Sequence, residues 1–292
     1  MPGVWEPGGV GHAIIEVPAM AGNPGHPAAD GPAVLTASLE AAGWHLPVHR
    51  VEVPQFDGDA RAASIAVCRG VADRVRRVVA AGDAPVVLAG SCDVAPGVLA
   101  GLREDRAGVV WIDAHADFNT PESSASGFWP GMTLAVVVGD CGQEVWSALG
   151  WRPVPAERVG LLGVRSLSPA EEARRLERSS IRAVGWRDGT PEDDVGGALD
   201  GLAGEVERVY VHLDLDALDP TIGSAVVDPP VPGGLSDEGL SGLVGQVRER
   251  FAVIGATIAT YTPAKDRGPT LRAAMAAIRV LIRRPSQQPN AK

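Results

Sequence analysis

Cysteine is scarce in this chain: Cys68, Cys92 and Cys141 are the only three in 292 residues. They are widely spaced and odd in number, which excludes a disulfide framework and leaves at least one thiol unpaired within the chain. Basic residues are also in deficit, with 26 Lys and Arg against 36 Asp and Glu and a formal net charge of −10. Neither phosphate nor acidic lipid attracts such a surface, so the balance argues against nucleic-acid and anionic-membrane partners and for a small-molecule substrate. No apolar stretch approaches the roughly 20 residues needed to span a bilayer, and no basic segment followed by an apolar run opens the chain. The expectation is a cytoplasmic protein. No internal repeat is visible.

What is present is enough apolar content, 45%, to bury a large core. The length fits one α/β domain over residues 1–292. After a Gly- and Pro-rich opening from Met1 to Gly11, His12 to Val17 reads as a strand, Ala19 to Pro32 as a surface loop and Ala33 to Ala42 as a helix. Strand-like segments follow at Leu46 to Val53, Pro85 to Ala89, Val109 to Ile112, Arg158 to Val164, Ile181 to Val184, Val209 to Leu213 and Ala252 to Thr260. Between and after them, Ala60 to Ala81, Ala95 to Arg103, Ser168 to Arg178 with Ser168 as its cap, Asp194 to Val206, Leu235 to Arg250 and Pro269 to Ile282 read as helices. Gly131 to Val138 reads as helical or simply buried, and Arg284 to Lys292 as a frayed tail. Strands alternating with helices predict a mostly parallel sheet covered on both faces, since each parallel connection needs a crossover.

Functional residues in such sheets gather at the carboxyl ends of strands. Here Val109-Val110-Trp111-Ile112 runs into Asp113-Ala114-His115-Ala116-Asp117-Phe118-Asn119. In extended backbone, residues two apart share a face, so Asp113, His115 and Asp117 are expected to point together. A second strand, Val209 to Leu213, runs into Asp214-Leu215-Asp216-Ala217-Leu218-Asp219-Pro220. Carboxylates packed at buried strand ends repel and lose solvation, a cost that a divalent cation offsets. Oxygen-rich ligands with one imidazole suit Mn²⁺. Asp219 reads as a residue supporting the ligands from behind or a turn residue before Pro220 rather than as a ligand, and His212 either as a side chain that orients a ligand or as a satisfied core histidine.

Asp113 to Pro121 (Asp-Ala-His-Ala-Asp-Phe-Asn-Thr-Pro) together with Asp214 to Pro220 resembles the two signature motifs of the arginase/agmatinase, or ureohydrolase, superfamily. The stretch Val86 to Gly97 lies where that family carries Gly-Gly-Asp-His-Ser. The resemblance implies a three-layer α/β/α fold and a pair of manganese ions that activate a hydroxide against a guanidinium carbon. Carried over to matching positions, Asp113 and Asp214 bridge the two metals, Asp117 holds one, and His115 and Asp216 the other. Family members are commonly trimers or hexamers, so a homo-oligomer is implied as well.

Several positions depart from the family pattern. Cys92 stands at the first metal-ligand histidine and Ser91 at the acid before it. Cys92 then either completes the first metal's shell as a thiolate or is an inert buried thiol. Pro130 stands where arginases carry a proton-shuttling histidine, and a proline cannot transfer a proton. Thr260-Tyr261-Thr262-Pro263 replaces the Glu-x-Asn-Pro strand end whose carboxylate grips the guanidinium. An acid that binds the substrate amino group falls at Ser168, with Glu171 nearby, and Asn119, Ser124 and Ser126 resemble the contacts to the amino-acid carboxylate.

Burying a guanidinium without a carboxylate partner costs several kcal/mol. Ordinary arginase activity is therefore not expected. The expectation is a binuclear metal hydrolase with Cys92, Asp113, His115, Asp117, Asp214 and Asp216 at the metals. Its substrate would be a less basic amidino or guanidino-derived group, such as an N-hydroxyguanidine or a formimino carbon, met by Asn119, Ser124, Ser126, Glu171 and Thr260. Phe128, Trp129 and Tyr261 are read as pocket-lining or plain packing. Two alternatives stand beside this reading: an inactive homologue serving as partner or regulatory subunit, and a metal enzyme with an altered reaction.

Overall fold

The structure, a computed structural model, describes residues 11–55, 57–227 and 229–282. The alternation read from the sequence is present. The strands are β1 (Gly11–Val17), β2 (Val48–Arg50), β3 (Asp83–Ala89), β4 (Gly108–Ile112), β5 (Val159–Val164), β6 (Arg182–Arg187), β7 (Thr190–Pro191), β8 (Arg208–Asp214) and β9 (Ala252–Ala259). Among the described residues they form one sheet in the order β2-β1-β3-β9-β8-β4-β5-β6-β7. Every neighbour pair is parallel except β6 with β7.

Parallel strands buried on both faces need apolar residues in both phases of the pleat, and β4 shows the result. Val110 and Ile112 enter one apolar layer while Val109 and Trp111 enter the other. The first layer is closed by α1 (Gly31–Ala41), α7 (Val195–Ala203), α8 (Asp237–Arg250) and α9 (Pro269–Ile282), which contribute Leu35, Leu199, Leu240 and Ile278. The second is closed by α2 (Ala60–Ala80), α3 (Ala95–Leu102), α4 (Thr133–Val138) and α6 (Ala170–Arg178), through Val71, Val98, Leu134 and Leu176. This is the three-layer α/β/α arrangement. Each fully buried Leu or Val contributes about 1.5–3 kcal/mol, so four such positions on α8 alone, Leu240, Leu243, Val244 and Val247, anchor that helix.

Local sequence sets the helix ends. The Asp59 carboxylate accepts from Ala62 N at 2.9 Å to start α2, and Ser236 Oγ accepts from Gly239 N at 2.9 Å to start α8. α3 lies close against α2 because it presents glycines: a Cβ at Gly97 would sit 2.6 Å from the Cys68 carbonyl oxygen, and one at Gly101 2.5 Å from Val75 Cβ. This packing brings α3 under the sheet end where Cys92 sits.

Several boundaries differ from the sequence reading. Ala19 to Pro32 is not a surface loop: Ala19, Ala28 and Ala29 are buried, a short 3₁₀ turn spans Pro27–Asp30, and α1 starts at Gly31. β2 is only three residues long, an edge strand that starts after Pro47. Ser168 does not cap α6; Pro169 holds that position, and the Ser168 amide instead donates to Glu172 Oε2 at 2.9 Å. Gly131 to Val138 resolves into a 3₁₀ turn followed by α4, and α5 (Gln143–Leu149) and the two-residue β7 were not read from the sequence. The tail from Arg284 to Lys292 and most of the opening segment lie outside the described residues. Among the described residues no helix is long and apolar enough to cross a membrane.

Candidate metal centre

The sheet order places the carboxyl ends of β3, β9, β8 and β4 side by side. Cys92 follows β3, Thr260 follows β9, Asp214 ends β8 with Asp216 just beyond, and Asp113 to Asp117 follow β4. Residues up to 122 apart in sequence therefore meet: Cys92 Sγ donates to Asp214 Oδ2 at 2.9 Å. The Thr260 hydroxyl donates to Asp214 Oδ1 at 2.6 Å, and the Asp216 amide reaches the same oxygen at 2.8 Å. Asp216 in turn accepts from Ala114 N at 3.0 Å and lies 2.8 Å from His115 Nδ1. Asp113 accepts from His115 N at 2.7 Å and from Trp111 Nε1 at 3.0 Å.

Cys92, Asp113, Asp117, Asp214 and Asp216 are buried, and His115 is partly open to solvent. Two ligand groups emerge. Donor atoms of Asp113, His115 and Asp216 all lie within 4.8 Å of one another, as do those of Cys92, Asp113 and His212, with Asp113 common to both. Two adjacent subsites sharing a carboxylate match the chemistry of a cation pair. Asp117 reaches the cluster differently from the sequence expectation. β4 stops at Ile112, so strand alternation does not carry through to residue 117, and Asp117 instead adopts a left-handed backbone with φ of 48°. Its carbonyl accepts the Leu134 and Ala135 amides at the start of α4.

The electrostatics of this crowd are one-sided. Burial, against the hydrogen bonds and charge of His115, pushes the Asp113 carboxyl up to about 8. Burial and then the charges of Asp216 and Asp113 push Asp214 well above the carboxylate range. Burial followed by Asp214, Asp117 and Asp113 does the same to the Cys92 thiol. Asp216 goes the other way, because the hydrogen bond and charge of His115 and the Ala114 amide outweigh its burial. His115 is raised to about 12 by its two carboxylates, despite its own desolvation. A buried surplus of negative charge is what a bound divalent cation offsets, and oxygen donors with imidazole and one thiol suit a first-row transition ion. His212 supplies a further sign of fit: it is fully buried, its Nε2 has no hydrogen-bond partner among the described residues, and burial holds it neutral with a pKa lowered to about 3.

Beside the acids lies a cavity of about 250 Å³ lined in part by His115, Asp117, Asn119, Ser124, Ser126, Phe128, Ser166, Ser168 and Glu172. Its size suits a small molecule. Asn119, Ser124 and Ser126 are thus brought to one place; Asn119 Nδ2 donates to the Ser168 carbonyl at 3.0 Å, and the two serine hydroxyls accept from Gly127 N and Phe128 N, which shapes the loop. Two predicted substrate contacts lie elsewhere. Glu171 points outward to Arg174 and Arg178, at 2.9 and 3.4 Å. Thr260 does not line the cavity; its side chain is committed to Asp214 and its backbone is left-handed, φ 72°. Phe128 lines the space, whereas Trp129 packs under Arg61 and Tyr261 donates to Asp266. Asp219 is a turn residue, accepting from Thr221 N and Gly233 N.

Three further residues were not singled out from the sequence. Glu172 faces the cavity and accepts from Phe118 N at 3.0 Å and Ser168 N at 2.9 Å; its register with buried Leu176, four residues on, was the available signal. Arg165, just past β5, donates to the carbonyls of Asp216, Leu218 and Val231 from Nη2 at 2.8, 3.1 and 2.9 Å, and to Gly163 and Ala217 from Nη1 at 3.2 Å. No motif marks such a clamp. Trp111, already mentioned as a donor to Asp113, also stacks on His212 with ring centroids 3.7 Å apart.

Comparison with known proteins agrees with this architecture. Arginase from Bacillus caldovelox is 34% identical over 204 residues, 65% of this chain and 67% of that protein; arginase from Bacillus subtilis is 36% identical over 175 residues, 57% of each. The chain thus aligns with about half to two thirds of the length of these relatives. In structure, Bacillus caldovelox arginase superposes with a TM-score of 0.80 at 28% identity, covering 95% of this chain and 100% of that one. The model of the arginase family matches residues 11–283. On fold, motif placement and sequence together, the chain belongs to the arginase family.

Proposed function

We propose that this chain is a binuclear metal hydrolase that cleaves a C–N bond in an amidino or guanidino-derived small molecule other than free arginine. The observation that carries the proposal is the pair of donor groups sharing buried Asp113 at adjoining strand ends. Cys92, Asp113 and Asp214 would hold one ion, and Asp113, His115 and Asp216 the other, with Asp117 at the cavity side; Mn²⁺ fits the oxygen-rich set. Such a pair supplies a hydroxide near neutral pH.

The chain's own side chains do the rest. Asn119, Ser124 and Ser126 offer hydrogen-bonding groups along the cavity for the polar end of a substrate. Of the acids lining that cavity, Glu172 is spent on two backbone amides. With Thr260 turned to Asp214, no carboxylate stands at the strand end after β9 to compensate a full guanidinium charge. A less basic carbon, as in an N-hydroxyguanidine or a formimino group, suffers less from that loss. Pro130 is buried at the start of a 3₁₀ turn, and His115 is the one imidazole lining the cavity among the described residues. The leaving amine therefore takes its proton from solvent or from a group on the substrate itself.

The test is metal analysis followed by turnover. The expected result is about two Mn²⁺ per chain after reconstitution, hydrolysis of an N-hydroxyguanidino or formimino compound, and little urea from arginine. Less than about one equivalent of bound metal, with Mn²⁺, Fe²⁺, Zn²⁺ or Ni²⁺ offered in turn, would refute the proposal. On resemblance alone we extend it to a cytoplasmic homo-oligomer, trimeric or hexameric, which sedimentation would decide.

A further inference from the structure

His212 stands two residues before the end of β8, and nothing in the motif reading required it to be a donor. It is fully buried, which for an imbalanced polar side chain calls for an explanation. The ring is held from two sides. Trp111 of β4 stacks on it at 3.7 Å between centroids with an interplanar angle of 16°. From two residues back on β8 itself, the Tyr210 hydroxyl lies 3.1 Å from His212 Nδ1 and donates its proton to Thr257 Oγ1 of the neighbouring strand β9 at 2.7 Å. A phenol has one proton to give, so toward His212 the Tyr210 oxygen accepts, and Nδ1 carries the hydrogen. The neutral ring then presents a lone pair at Nε2, the nitrogen that has no hydrogen-bond partner among the described residues.

One ring nitrogen of His212 lies within 4.8 Å of both Cys92 Sγ and an Asp113 oxygen. Since Nδ1 is engaged with Tyr210, Nε2 is the one available there. A histidine bound to a metal through one nitrogen while the other is fixed by a hydrogen bond is the usual way a protein sets tautomer and ring orientation. We infer that His212, from β8, is a metal ligand of the first subsite beside Cys92 and Asp113, so that this subsite regains an imidazole from a different strand than the one that carries Cys92. The inference rests on the metal-dependent reading above, and it adds a ligand that neither motif contains. Thr257, Tyr210 and Trp111 are then positioning residues for that ligand.

The test uses the full-length metal-free protein and Co²⁺ or Zn²⁺ alone. His212→Phe keeps an aromatic ring for Trp111 to stack on but removes Nε2. Wild type is expected to bind two Co²⁺. H212F should bind one of them at least about tenfold more weakly, with the cobalt absorption that arises from the Cys92 thiolate diminished and the other ion retained. A second measurement needs no variant: in ¹⁵N-histidine-labelled wild type, Zn²⁺ should shift the His212 Nε2 resonance while Nδ1 stays protonated. H212F that binds both ions with wild-type affinity and spectrum, or an Nε2 resonance unmoved at Zn²⁺ saturation, would overturn the ligand assignment and leave the hydrolase reading standing. Wild type that binds no Co²⁺ would overturn both.

Discussion

Arg165 offers the sharpest check on how the centre is held. Its guanidinium donates to carbonyls on three segments: Gly163 beside it, Asp216 to Leu218 after β8, and Val231 in the Pro/Gly loop. Gly234 makes room for it, since a Cβ there would lie 2.5 Å from Arg165 Nη2. Arg165→Met removes every donor while keeping a flexible apolar stem. Hydrogen bonds to a charged group contribute about 1.5–3 kcal/mol each, but those sharing one fork are not additive, so the loss is set at about 3–5 kcal/mol in all. For a chain of this size that corresponds to a fall in Tm of roughly 6–20 °C. Scanning calorimetry on metal-free protein reads the stability, and a Co²⁺ titration reads whether Asp216 has moved. Arg165→Lys should recover only a part, because one ammonium cannot span five carbonyls. An R165M protein that melts within about 2 °C of wild type, with unchanged metal affinity, would refute the clamp.

The remaining expectations are quicker to state. Glu172→Gln should cost about 1–2 kcal/mol in urea unfolding, since it loses a charged acceptor for two amides, whereas Glu171→Gln, in an exposed ion pair, should cost less than about 0.5 kcal/mol. Thr260→Val should lose about 1 kcal/mol with the Asp214 hydrogen bond, and Thr260→Gly should regain part of it by relieving a left-handed backbone at 72°; equal stability of the two variants would contradict this. Cys141 is pushed up to about 12 by burial, with Arg175 working against that and Asp140 for it, so it stays a protonated thiol at pH 8. Its reaction with a disulfide reagent should then run about 30- to 60-fold slower than that of a free thiol of pKa 9, since the rarer thiolate is also the stronger nucleophile, and rise about tenfold per pH unit; a rate like that of free cysteine would count against it. Chelation should lower Tm, and Mn²⁺ at a hundredfold its Kd should restore about 2.7 kcal/mol per site; a Tm indifferent to metal would count against a metal centre.

Much of this was legible in the sequence, for a physical reason. Strands buried on both faces read as apolar runs, so β3, β4 and β8 stand out, and the acids that follow them can only sit at their carboxyl ends. Features that depend on backbone or on distant partners were hidden. Arg165 binds carbonyls that any sequence provides. Asp117 arrives by a left-handed residue rather than by alternation, and Thr260 gives its hydroxyl to Asp214 although its place in the family motif pointed to the substrate. Glu172 went unnoticed although buried Leu176, four residues on, places it on the inner face of α6, whereas Glu171 turns outward to Arg174 and Arg178. Ala19 to Pro32 misled by composition: its small residues are what allow close packing, as at Gly90, where a Cβ would meet the Ala19 carbonyl oxygen at 2.3 Å.

The strand order sets a schedule for assembly. β3 and β4 follow one another in the chain, yet β9 and β8 lie between them in the sheet. As the chain leaves the ribosome, Cys92 and Asp113 emerge early, on strands whose inner neighbours have not been made. Both strands must wait, with open edges, for a segment that begins about a hundred residues later. Only when β9 slots against β3 and β8 against β4 do the thiol, the imidazoles and the four aspartates share one pocket. The pocket these residues share is therefore completed late in folding, and a chain cut before residue 208 lacks its Asp214 and Asp216 side.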